Sequence, residues 1–199
     1  MNYSIFLFLH LAGVITTFVG VGAWFFAAVA VRQARRVEEL MSLARIYEMG
    51  AAIAIIGSLT VAASGLDMAL SVWSLRVGWV QVGIGAFALL TPVGPLVVGP
   101  RIARLISAAR ESGGGPLSPA LIARVKDPLP KVALMVLMGD LAGIVFIMTV
   151  KPSFTGSVLA VVGFVALGAA LAHPAVGRMS SGAIDALARL EESNPLYRR

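Results

Sequence analysis

YSIFLFLHLAGVITTFVGVGAWFFAAVAVRQARR, residues 3–36, is the stretch that decides the fold. No Asp, Glu, Lys or Arg stands between Tyr3 and Val31, and Arg32, Arg35 and Arg36 follow at once. An α-helix rises about 1.5 Å per residue, so about 20 apolar residues cross a hydrocarbon core about 30 Å thick. The stretch therefore reads as a spanning helix that stops at a basic flank. It does not read as a cleaved leader. No Lys or Arg precedes it, and it is longer than the apolar region of about 7–15 residues that a leader carries. Ala28-Val29-Ala30 mimics a cleavage site, but arginines follow it.

The same criterion finds Met49–Trp73, Arg76–Pro100, Leu129–Lys151 and Ser153–His173. With Tyr3–Val31 they predict an all-α integral membrane bundle of five transmembrane helices, a single membrane domain over residues 1–199. Pro152, after Lys151, stops the fourth span and permits a tight reversal. Composition agrees: 58% of the 199 residues are hydrophobic and only 13% are charged, against about 25% charged in soluble domains. There is no cysteine, which excludes disulfides and thiolate chemistry.

The net charge of +6 does not point to nucleic acid, because the basic residues are sorted by loop. Residues 32–48, 101–128 with Lys131, and the tail 174–199 hold fourteen of the sixteen. Positive residues stay on the cytoplasmic side. The N-terminus is then outside and the C-terminus inside, as an odd number of spans requires. The expected location is the cytoplasmic (inner) membrane of a bacterium. Trp73 and Trp79 flank the short outer loop as interfacial aromatics do. Residues 32–48 can form a helix, with Val37, Leu40, Met41 and Ala44 on one side, which either extends the first span or lies along the headgroups. ESGGGPLSP (residues 111–119) reads as a flexible break, and Ala183–Leu190 as a short amphipathic helix of the tail. These connectors are expected to be solvated.

Ionisable residues inside spans are expensive, so each is a functional hypothesis. At 1.5 Å per residue His10 lies roughly 10 Å inside the first span, Asp67 roughly 9 Å inside the second and Gln81 roughly 8 Å inside the third. They share a level near the outer face, with Met68 and Met148 close by. The group reads in two ways. It is an interhelical hydrogen-bond cluster, or it is a ligand site in which His10 holds a haem b iron or a copper ion. In the second case Asp67 orients the ring through its other nitrogen, and methionine suits a cuprous ion. His173 falls roughly 20 Å from His10 along the normal, so the two cannot share one iron. Asp140 sits near mid-bilayer on the fourth span, with Ser64 and Thr60 at comparable depth. It is either a neutral carboxylic acid linking helices or a proton-carrying residue. TPVGPLVVGP, residues 91–100, interrupts the third span with prolines and glycines; broken helices of this kind can line transport sites, but with no charged companion at that level it reads as a kink. VGVGAW (19–24) and VGIGAF (82–87) echo each other, and their glycines suit close helix packing.

HLAG in the first span, GPRIARL leaving the third and MTVKP leaving the fourth together resemble a bacterial family of integral membrane proteins of unknown function. That family is distantly similar to the membrane domain of copper-resistance protein D and to HemJ-type protoporphyrinogen oxidases. The resemblance covers most of the chain and implies an early histidine associated with haem, whose place His10 takes. The leading functional expectation is non-enzymatic: an accessory or assembly subunit of a membrane complex, packed against other subunits or a second copy of itself. The alternatives are a haem- or copper-handling protein built on His10 and a proton-coupled carrier using Asp140.

Overall fold

The computed structural model describes residues 3–172, and their regular structure is all helix. α1 (Tyr3–Ala30) runs on through a 3-10 turn to Gln33. α2 (Val37–Met68) returns and ends in a π turn, Ala69–Trp73. α3 (Gly78–Leu90) passes through a second π turn, Gly94–Val98, into α4 (Gly99–Glu111). A short α5 (Pro119–Val125) precedes the closing hairpin of α6 (Leu129–Val150) and α7 (Phe154–Ala172). Five continuous helical stretches are long and apolar enough to cross a membrane: Tyr3–Gln33, Val37–Trp73, Gly78–Glu111, Pro119–Val150 and Phe154–Ala172. Each carries large apolar side chains on its outside, among them Phe8, Leu59, Leu89, Phe146 and Leu159. A soluble monomer rarely leaves so much contiguous apolar surface bare; a lipid environment covers it.

The most extensive interface joins α1 to α2. Buried residues of α1 recur at alternating steps of three and four: Gly13, Thr17, Gly20, Trp24, Ala27. On α2 Tyr47, Gly50, Ala54, Gly57 and Ser64 lie along the facing stripe. This is the spacing of a left-handed helix pair. Lipid tails supply no hydrophobic force between helices, so close backbone approach has to hold them. The glycines allow it. A β-carbon built on Gly57 would stand 2.5 Å from Thr17 N and 2.9 Å from Gly13 O, and one on Gly13 would be 3.1 Å from Gly57 O. Gly20 and Gly50 are related in the same reciprocal way. The glycine Cα–H groups thus face carbonyls across the seam, contacts worth about 0.5–1 kcal/mol each. α6 and α7 repeat the device, with Gly139 and Gly168 against the backbones of Phe164 and Met135. α3 lies against that hairpin, Gly78 on Phe154 and Gly83 under the Met148 side chain.

The two echoing segments share a pattern. Gly20 and Gly83 are covered by a neighbouring helix, while Gly22 and Gly85 face open space.

Three features depart from the expectations above. α2 begins at Val37 rather than near Met49, so residues 37–48 extend the second span, while residues 31–33 continue the first. The Val37–Trp73 stretch has 37 residues, roughly 55 Å of helix, and its first turns project beyond a bilayer core. The connectors are not merely solvated: Val31, Leu40, Leu105, Ala109, Leu121 and Val125 form a packed apolar core at the basic end. The triple-glycine loop is pinned rather than loose. Gly113, Gly114 and Gly115 adopt positive φ (72°, 105°, 89°), a conformation glycine takes without strain. That lets Val37 N donate to Gly115 O (2.9 Å) and Gly115 N to Glu38 Oε1 (3.0 Å). The Gly115 N–H holds the exposed Glu38 carboxyl below its ordinary range. His173 and the tail helix lie outside the described residues.

The seam yields a paired prediction. Gly57→Ala forces a methyl onto Thr17 backbone and should cost about 1–3 kcal/mol, as overpacking does. Gly22→Ala meets nothing within 4 Å and should stay within about 0.5 kcal/mol of the parent. Thermal unfolding of both variants in one detergent measures the difference.

Candidate functional site

The position of His10 follows from the seam. It sits three residues before Gly13, in step with the buried stripe, so its ring turns toward α2. There Ser64 Oγ lies 3.3 Å from His10 Nδ1. The ring rests on Gly65, where a β-carbon would be 2.9 Å from Cε1. Ser64 has a single hydroxyl hydrogen, and it is donated to Thr60 O, the residue's closest acceptor. The Ser64 oxygen is then placed to accept from a proton on Nδ1, the donor or acceptor role of that nitrogen depending on the tautomer of the ring.

The neighbours expected from depth alone are distributed differently. Asp67 is half-buried one turn further along α2; its backbone carbonyl accepts from Ser71 Oγ at 2.8 Å. Gln81 is exposed on α3. Met68 is buried one turn beyond Ser64. Met148 is half-buried over Gly83, packed with Trp79 and Val80. No three His, Cys, Asp or Glu side chains converge on a metal-sized space among the described residues. Near His10 the helices also stand too close to admit a porphyrin between them, since a β-carbon on Gly13 would be 3.0 Å from Val61 N. Beside His10 the structure shows one hydroxyl, that of Ser64, within hydrogen-bond distance.

Asp140 is a different case. It is 1% exposed, and its Oδ1 has no hydrogen-bond partner among the described residues. Its helix explains its burial. On α6 Gly139 faces α7, so Asp140, 100° further round, turns toward α3. α3 and α6 run antiparallel, with Gly83 level with Ile147 and Met148, and Gly94 level with Leu137. That register brings Asp140 level with Leu90 and Thr91, where the third span breaks. Pro92 and Pro95 supply no N–H, so the carbonyls of Ala88 and Thr91 lose their usual α-helical donors. The chain then widens, and Gly99 N donates five residues back to Gly94 O. Thr60 and Ser64 are engaged elsewhere: Thr60 Oγ1 donates to Ile56 O at 2.9 Å, and Ser64 faces His10.

Two more buried polar atoms without partners among the described residues lie toward the basic end: Trp24 Nε1 and Tyr47 Oη. Their rings meet tilted at 55°, 5.1 Å between centroids. Trp24 covers Gly94, whose β-carbon would be 2.7 Å from Cη2. Both aromatics pack with Leu134 and Leu137, one turn from Asp140. The unsatisfied groups therefore succeed one another along the bundle interior: Asp140, then Trp24, then Tyr47. Depth counting misses the two aromatics because neither is ionised in the span. The signal that finds them is rotational, since Trp24 shares the three-and-four stripe of His10, and Tyr47 shares that of Ser64.

Buried polar groups left unpaired cost about 1–3 kcal/mol each. Asp140→Val removes the orphan oxygen while keeping the space filled. It should leave the fold intact and raise resistance to thermal unfolding by about 1–3 kcal/mol. A loss of that size would instead make the carboxyl a structural bond.

Comparison with protein-family models, curated proteins and solved structures finds no match to this chain. The geometry of the interior therefore carries the functional argument.

Proposed function

We propose that this is a proton-coupled carrier of the membrane, with Asp140 as the residue that takes up and releases the proton. One observation carries the reading: a completely buried carboxyl with an unpartnered oxygen, level with the broken third span. Magnitudes favour function over structure here. An aspartate at mid-bilayer costs about 2.5–3.5 kcal/mol on insertion scales. An interhelical hydrogen bond returns about 0.6 kcal/mol on average, and Oδ1 has none among the described residues. Carriers place such residues beside discontinuous helices, where unwound backbone offers carbonyls and room to move. Trp24 and Tyr47 extend the polar line toward the basic end, which the positive-inside bias assigns to the cytoplasm of a bacterial inner membrane.

Proteoliposomes loaded with a pH dye test this reading. A pH gradient should be dissipated by the parent protein, and Asp140→Asn should slow that dissipation at least about ten-fold, the loss expected when a group taking part in proton transfer is removed. Equal rates for the parent and the variant would defeat it.

A second reading, an accessory subunit of a larger complex, is favoured by a separate observation. Gly22 on α1, Gly85 on α3 and Gly163 on α7 face open space on the bundle exterior, and small residues there admit another helix closely. One tagged preparation addresses this reading and the orientation together. A C-terminal reporter should be active in the cytoplasm, and the same tag should retrieve a stoichiometric membrane partner in mild detergent. A reporter active only outside would reverse the topology, and an isolated chain would remove the accessory role.

A further inference from the structure

At the basic end, below the polar line, α1, α2, α4, α5 and α6 close around a cavity of about 30 Å³. Its wall is mostly apolar, built from residues such as Leu105, Ile106 and Val125, and its charged lining is Arg32, Arg124, Lys131 and Asp127. The charges do not cancel. The one carboxylate, Asp127, accepts from Leu129 N at 3.0 Å and pairs with a further cation, Arg101, at 3.6 Å. Arg32 Nη1 donates to the backbone carbonyl of Asp127 (3.1 Å) and Arg124 Nη1 to that of Arg104 (3.3 Å). Both bonds go to neutral acceptors, and they orient the guanidinium groups without neutralising them. Lys131 forms no ion pair among the described residues. Tyr47 also lines the cavity, 5% exposed, with its hydroxyl unpartnered among the described residues.

We propose that this cavity receives the phosphate of an anionic phospholipid, held by Arg32, Arg124 and Lys131. Three properties select that ligand. The charge excess calls for an anion, and guanidinium groups fork onto phosphate oxygens. The size is right for one tetrahedral group: a single water needs at least about 10–15 Å³ of such space, so 30 Å³ holds a few oxygens and no nucleotide. The apolar wall and the position, at the ends of the spanning stretches, fit the glycerol and first methylenes of a lipid. Basic pockets between helices at this level take anionic headgroups. The Tyr47 hydroxyl supplies a further donor at the floor. None of this depends on the role assigned to Asp140.

The test uses the full-length protein in detergent micelles, titrated with phosphatidylglycerol, phosphatidylcholine or inorganic phosphate while thermal unfolding is followed. A ligand of the folded state raises the melting temperature as its site fills. Phosphatidylglycerol should give a saturable rise that phosphatidylcholine does not. Arg32→Gln, Arg124→Gln and Lys131→Gln should each shift its half-saturation upward by about five-fold. Arg76→Gln, at the other end of the bundle, removes the same charge and should leave it unchanged. Tyr47→Phe should also weaken the response. Equal stabilisation by both lipids, or equal half-saturation in the Arg76 and Arg124 variants, overturns the proposal. So does an equal rise with inorganic phosphate alone, which would make the cavity a site for free anion. If the arginine variants fail to fold, the headgroup comparison on the parent protein decides alone.

Discussion

The approach of α1 to α2 through glycine is the contact on which the rest of the molecule depends. In lipid no hydrophobic force pushes two apolar helices together, so van der Waals fit and weak Cα–H···O contacts must do it. Reciprocal pairing of Gly13 with Gly57 and Gly20 with Gly50 sets both the distance and the rotation of the helices. Rotation is the consequential part. Once those glycines face each other, residues in the same three-and-four register must turn inward too. His10 is brought onto Ser64, Trp24 onto Gly50 and Gly94, and Tyr47 onto Trp24. The polar and aromatic interior is thus a by-product of a backbone packing decision.

The second hairpin solves the same problem with Gly139, Gly143 and Gly168, but its glycines serve another face. Because Gly139 is given to α7, the next residue cannot be. Asp140 is left to face α3, and α3 meets it at the one level where its own hydrogen bonding fails. Prolines there remove two donors, and the widened turn at Gly94–Val98 restores continuity without restoring every bond. At the opposite end the chain caps itself differently. Lys151 adopts a left-handed conformation (φ 52°) and sets its ammonium 4.1 Å from the Trp73 ring, which in turn meets Trp79 edge-on at 5.2 Å. The hairpin corner, the outer turn and α3 are thereby tied where aromatic residues favour a membrane interface.

Much of this was legible in the residues. Five apolar stretches, the Lys151-Pro152 reversal and the break at residues 91–100 follow from length and proline chemistry alone. Depth follows as well, because a helix has a fixed rise. Rotation was harder to read, although the information is present. His10, Gly13, Thr17, Gly20 and Trp24 are spaced by three and four, and a stripe of that kind names the residues facing a partner. Counting depth without that stripe pairs His10 with Asp67; adding it gives Ser64. The start of α2 at Val37 was hidden for another reason. Residues 37–48 are too polar to register as a span, yet they belong to the helix, where Leu40 packs with Val31, Leu105 and Val125. That is a tertiary fact, and no local window contains it. The triple-glycine loop was hidden likewise, since its order comes from bonds to Val37 and Glu38, far away in the chain.

Depth and partnership together separate the two ionisable residues that first drew notice. His10 is half-buried, lies near the end of its span and has a hydroxyl within reach. One ring nitrogen of a histidine so placed is matched by the helix pair it belongs to. Asp140 is 1% exposed, and an oxygen buried with no partner among the described residues bears a desolvation cost that no bond offsets. A structure can hold such a group only if the surrounding packing is stable enough to absorb it. The glycine seams supply that stability without consuming polar groups. Backbone contacts hold the hairpins, so the interior between them keeps a carboxyl oxygen, an indole N–H and a phenol hydroxyl without partners among the described residues. A bundle held by interhelical polar bonds would have used these same groups as its fastening.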